Sequence, residues 1–257
     1  MQFRFTATTF FRHVPPAAGF CLMTLSLWAQ ASRPVLSDEE FHRERAAAEL
    51  REEEQQRILG IMPNFNTSNV ADAEPLLPRQ KLQLALRGAL DPFTFVAAGF
   101  DAALSQGGND FASYGQGSSG YGKRLGASYM DTFDGTMLGD AVFPILLKQD
   151  PRYFRKGAGT FTSRLAYAVS ATFRCKNDSG DWAPNYSNIL GNVAAGGLSN
   201  LYYPSSDRGL SLTLQRTLVV TAEGTGGAIL VEFWPDISRK VCPKRHREGL
   251  LAISHQP

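Results

Sequence analysis

Ser187, Gly191, Ala195 and Ser199 recur every four residues through NYSNILGNVAAGGLSNLYYP, and that spacing limits what the chain can fold into. On an α-helix, positions four apart share a face, so these residues make one stripe without bulk, with Ile189, Leu190, Val193, Leu198 and Leu201 elsewhere around it. A glycine inside a helix costs about 1 kcal/mol relative to alanine. Such a stripe is compatible with stability only where another backbone comes close enough to recover that cost by tight packing. Similar pairs, Ala98 with Ala102, Gly122 with Gly126, Gly135 with Gly139 and Ala222 with Gly226, extend the pattern along the chain. The expectation is a mainly α protein: a compact bundle of about five helices packed through small residues, preceded by an N-terminal charged helical arm.

Five apolar segments supply those helices: residues 81–105, 121–148, 161–173, 186–203 and 210–233. Pro92 should kink or restart the first, and the second should break near Gly135 or Pro144. The third fits a period of four through Phe161, Leu165, Val169 and Phe173, yet several of its apolar residues also alternate as in a strand. Helix is preferred there because its neighbours are helical. The fifth, rich in Leu, Val and Thr, is the second strand candidate.

The ends read differently. Residues 1–31 carry Arg4 and Arg12, then an apolar run from Ala17 to Trp28, then Ala29 and Ala31 around Gln30, which is the order of a secretory signal peptide. Residues 32–59 form a charged arm whose helix should start in a capping box of Ser37 and Glu40. Residues 60–79, with Pro63, Pro75 and Pro78, read as an extended linker, residues 80–241 as the compact domain and residues 242–257 as a basic tail. No charge falls between Trp182 and Ser206, but Asp134, Asp140 and Glu223 lie near the middles of other segments. Mid-helix charges are expensive in lipid, so a water-soluble or membrane-associated bundle is expected rather than a polytopic membrane protein.

Several function classes are disfavoured. The four histidines are His13, His42, His246 and His255, so the compact domain has no imidazole for a Ser-His-Asp or Cys-His site or for a metal. No cofactor and no metal is expected. The 26 basic residues nearly balance the 24 acidic ones, which gives nucleic-acid binding little electrostatic support. In GQGSSGYGKR, the glycines Gly115, Gly117 and Gly120 have dinucleotide-loop spacing. Arg124, however, stands where a phosphate loop needs Ser or Thr, and a turn is the better reading.

Three weaker constellations remain. Asp131 and Asp134, three apart on one helix face, form a candidate acidic pair for acid-base work or a divalent cation, although paired surface carboxylates are commoner. Arg152, Arg155 and Lys156 stand beside Tyr153 and Phe154 in a loop and offer a weak candidate site for an anionic headgroup or glycan, against a plain structural turn. Cys175 and Cys242 stay in the mature chain and could form a disulfide in an oxidising compartment or remain two thiols, which spacing alone leaves open.

The motifs YGQGSSGYGKRLGASYMD, LLKQDPRYFRKGAGT, NYSNILGNVAAGGLSNLYYP and VEFWPDI resemble those of a set of uncharacterised exported bacterial proteins. The resemblance runs from about Ile58 to Ile237, leaving out the basic tail, and implies export but no activity and no residue roles. The expected function is that of an envelope-associated structural or binding protein, in the periplasm or at the outer membrane, with a membrane surface or another envelope component as partner. The alternative is a histidine-independent hydrolase or lipid-active enzyme working through carboxylates; an enzyme is the less favoured class.

Overall fold

The structure is a computed structural model that describes residues 37–58 and 60–241. The signal-peptide residues 1–31 and the tail 242–257 lie outside the described residues. The described chain is mainly helical. Ser37 and Glu40 make the expected capping box: the Glu40 carboxylate accepts from the Ser37 amide at 3.0 Å, and the Ser37 hydroxyl accepts from the Glu40 amide at 3.3 Å. They open helix α1 (Asp38–Glu53). The charged helix is not solvated throughout, because Ala46, Leu50 and Glu53 are buried in its second half. The chain that follows carries two-residue strands β1 (Arg57–Ile58), β2 (Met62–Pro63) and β3 (Thr67–Ser68), and it buries Phe65 and Leu76 with Leu50 and Leu84 in a small core.

The first apolar segment divides at Pro92. Helix α2 (Pro78–Ala89) ends, and Asp91 caps helix α3 (Pro92–Gly107) by accepting from the Phe93 amide at 2.9 Å. The second segment does not break. Helix α4 (Gly117–Thr136) continues through a π-helical turn (Met137–Val142) into α5 (Phe143–Leu147). The Phe143 amide donates to the Leu138 carbonyl, five residues back, so the widened turn delivers Pro144 into the first turn of α5, where its missing N–H costs little. Strand β4 (Tyr153–Phe154) then pairs in parallel with β3.

Helix α6 (Phe161–Ser170) decides the ambiguous third segment in favour of helix, with Thr160 as its cap. Strands β5 (Arg174–Lys176) and β6 (Trp182–Pro184) form a hairpin. Asn185 caps α7 (Tyr186–Leu198), and α8 (Leu210–Val241) is one long helix rather than a strand.

The small-residue stripe is the contact surface. Ser187, Gly191, Ala195 and Ser199 are all buried. A Cβ on Gly191 would lie 2.6 Å from the Gly139 Cα, so α7 meets the π turn backbone to backbone. On the same helix, a Cβ on Gly196 would lie 2.5 Å from the Thr213 carbonyl of α8. The Ala98–Ala102 face of α3 is buried, and Gly135 faces Val220. Gly122, Gly126 and Gly226, by contrast, face open space, so those pairs are not packing surfaces.

Small residues inside leave the large ones outside. Most of the buried apolar residues of the helices are alanines, whereas Val96, Phe100 and Leu104 on α3, Ile189, Leu190 and Val193 on α7, and Leu210, Leu214 and Leu218 on α8 are exposed. The interior instead holds charged residues, among them Lys81, Arg124, Asp131, Arg152, Arg216 and Glu232. No helix of the described residues is long and apolar enough to cross a membrane.

Candidate functional site

The loop expected to bind an anion already holds one of the chain's own. Arg152 is buried, grips Asp150 with its Nε and Nη2, donates to Glu53 at 3.0 Å and also reaches the Glu74 carbonyl at 2.6 Å. It is therefore a strut between the linker and the loop and is withdrawn from any external ligand. The backbone amides of Lys156 and Gly157 both donate to the Glu232 carboxylate at 2.9 Å, joined by the Tyr153 hydroxyl and Arg164. These four donors hold the Glu232 carboxyl below the usual range despite its burial. Lys156 itself is exposed, bonded to Ser163 and set over the Tyr167 ring, and Arg155 is half-buried beside Gly157. The three cations thus do not converge on one site: one is buried structure and two are rim residues.

Asp131 and Asp134 also part company. Asp131 is buried and accepts from Ser199, Tyr202 and Tyr203, each at 2.7 Å, while pairing with Arg216 at 2.7 Å. Every lone-pair direction of that carboxylate is used to bind α7 and α8 to α4. Asp134 is half-buried, accepts from Tyr202 at 3.3 Å and has its carboxyl pushed up, first by burial and then by the charge of Asp131. Cys175 is a buried free thiol, pushed up to about 12 by burial, and Cys242 lies outside the described residues. The glycine loop also serves the interior. Carbonyls of Asp110 and Gly115 accept from Arg124, so the loop turns acceptors inward where a phosphate cradle would present amides.

A cavity of about 340 Å³ opens where the linker, the π turn, α6, the β5–β6 hairpin, α7 and α8 meet. Aromatic side chains Phe65, Phe154, Tyr167 and Trp182 line it, with Asn185, Asn188, Thr172 and Thr225 as polar wall. Most of that wall is internally satisfied: Asn188 donates to the Thr172 carbonyl at 3.1 Å, and the hydroxyls of Thr172 and Thr225 meet at 2.7 Å. Arg174, stacked 4.9 Å from both the Tyr167 and Trp182 ring centroids, is exposed beside it.

One wall is not satisfied. Asp140, in the middle of the π turn, lies deep among the helices but keeps part of its surface open to the cavity. The Asn66 Nδ2 donates to its carboxylate at 2.6 Å. Burial pushes the carboxyl up to about 7, and the Asn66 donation offsets only part of this. The Asn66 Oδ1 is closed off from solvent and has no hydrogen-bond partner. Turning the amide over moves the deficit to Nδ2, so in either orientation one end lacks a partner. Buried polar atoms left this way cost about 1–3 kcal/mol and are concentrated where a protein does something besides fold.

Neither residue stood out in the sequence. Asn66 sits in a segment that reads as linker, and Asp140 reads as one more carboxylate beyond Asp134. The usable signal was a lone acid in an otherwise apolar run, MLGDAVFPILL. No protein family, curated protein or solved structure matches this chain.

Proposed function

We propose that the chain is an exported, envelope-associated binding protein that holds a small molecule in the cavity beside Asp140. The observation that carries this reading is the incompletely bonded Asp140–Asn66 pair on the wall of a solvent-open, aromatic-lined cavity, the combination of apolar walls and a few convergent polar groups that ligand sites use. The carboxylate-enzyme alternative has less support. Asp131 is fully engaged, and Asp150, which shares the cavity wall with Asp140, is bound to Arg152. Gly227 lines the cavity and has open space at its Cβ position, so Gly227→Leu fills the cavity without a backbone clash. In thermal-shift screening of a fragment library, compounds that stabilise the wild type should lose their effect in Gly227→Leu. Hits indifferent to that substitution would locate binding elsewhere.

Association with a membrane surface is a second reading, favoured by the exposed apolar residues of α3, α7 and α8. Cosedimentation with phospholipid vesicles tests it: Phe100→Asp with Leu104→Asp should reduce the bound fraction, and unchanged binding would count against this face. Export is tested by sequencing the mature amino terminus, which should begin at Ser32.

A further inference from the structure

We infer that the cavity beside Asp140 is a site for an organic cation, a primary ammonium carried on a flat apolar body. The inference rests on the cavity being the binding site and adds the class of ligand. Asp140 is a partly exposed residue on the cavity wall, and its carboxylate accepts from one neutral donor, Asn66 Nδ2, at 2.6 Å. A carboxylate with one neutral donor and no cation calls for a donor-rich ligand group, and an ammonium has three N–H bonds and no acceptor. Phe65, Phe154, Tyr167 and Trp182 supply the apolar and aromatic wall for the rest of the molecule.

The other charges around Asp140 are already committed. Asp150 and Arg152 face the same cavity and hold each other, with Glu53 as the second acid on Arg152. Lys81, on α2 against the π turn, is bound to Asp178 at 2.6 Å and to the Pro144 carbonyl at 3.2 Å. On α4, Asp131 is paired with Arg216 and Asp134 accepts from Tyr202. On the hairpin, Arg174 is stacked on two rings and Cys175 is a buried thiol held protonated. Tyr153 and Tyr167, also on the wall, spend their hydroxyls on Glu232 and the Phe154 carbonyl. Asp140 is thus the acid of this wall for which the structure shows no cation. A metal ion is the poorer occupant, because no group of three or more His, Cys, Asp or Glu side chains comes together among the described residues.

Because the ammonium requires ionised Asp140, its binding should release a proton below neutrality. Affinity should then rise about tenfold per pH unit from pH 5 toward 7 and level off above. Calorimetric titration of the full chain with benzylamine, benzyl alcohol and benzoate separates the outcomes. The inference expects benzylamine to bind at least tenfold more tightly than either relative, and Asp140→Asn, checked for folding by circular dichroism, to abolish that preference. Benzyl alcohol or benzoate binding as tightly as the amine, with binding of all three lost in Gly227→Leu, would overturn the ammonium assignment and leave the cavity reading standing. Failure of all three probes to bind would overturn both. The pH arm needs no variant: a flat benzylamine affinity between pH 5 and 7 would refute the role of Asp140.

Discussion

Gly191→Ala should destabilise this protein although alanine is the better helix former. The added Cβ would lie 2.6 Å from the Gly139 Cα, 2.8 Å from the Gly139 nitrogen and 3.1 Å from the Leu138 carbonyl carbon, all inside the 3.4 Å at which ordinary contact begins. Those are backbone atoms of the π turn, so relief requires α7 and the turn to separate by most of an ångström along a buried stripe. Forcing a methyl group into a packed contact costs about 1–3 kcal/mol. Replacing a helical glycine returns up to about 1 kcal/mol. The net expectation is a loss of about 1–2 kcal/mol, or about 2–8 °C in Tm for a domain of this size. Gly122→Ala is the control: that glycine is on α4 and exposed, with nothing within 4 Å of its Cβ position, so the propensity gain should appear undiminished. Urea unfolding of both variants gives opposite signs if the stripe is a backbone contact. A Gly191→Ala variant as stable as Gly122→Ala would refute the reasoning.

Asp131→Asn should cost about 3–5 kcal/mol in urea unfolding, because it leaves Arg216 buried without its ion pair; Asp134→Asn should be nearly neutral. Glu53 and Asp140 are both pushed up to about 7, so the folded state holds their protons more tightly than the unfolded chain does. Their contribution is therefore favourable at and below about pH 4.5 and is lost as pH rises toward 7. Tm at constant ionic strength should then fall between pH 5 and 7.5, and Asp140→Asn should shrink that fall; a rise over this window in the wild type would contradict both assignments. Cys175, buried and pushed up to about 12, should resist alkylation at pH 8 in the native protein and react once urea is added.

The sequence carried the helix faces but not the partners across them. Ser187, Gly191, Ala195 and Ser199 were legible because helical contact repeats every four residues, and a stripe of small residues signals close approach regardless of what approaches. The same reasoning overcounted Gly122, Gly126 and Gly226, where the glycine spacing is identical but no backbone comes near. Arg152 was misread because a cation in a loop looks the same whether it faces solvent or an acid 99 residues away. The Lys156–Gly157 amides likewise meet Glu232 across 75 or more residues of chain. The π turn was not legible, because a five-residue hydrogen-bond step has no composition of its own, and α2 and α7, which pack against this turn, are distant in the chain. The partner of Asp140 was equally hidden, because Asn66 lies 74 residues away in the linker.

The account depends on Asp140 being a carboxyl that the fold buries without a cation. Carbon-13 titration of the side-chain carboxyl resonances, with Asp140→Asn to assign the signal, measures this directly. The predicted midpoint is about 7, moving downward on addition of benzylamine. A midpoint in the ordinary aspartate range near 4, unmoved by the amine, would contradict the account.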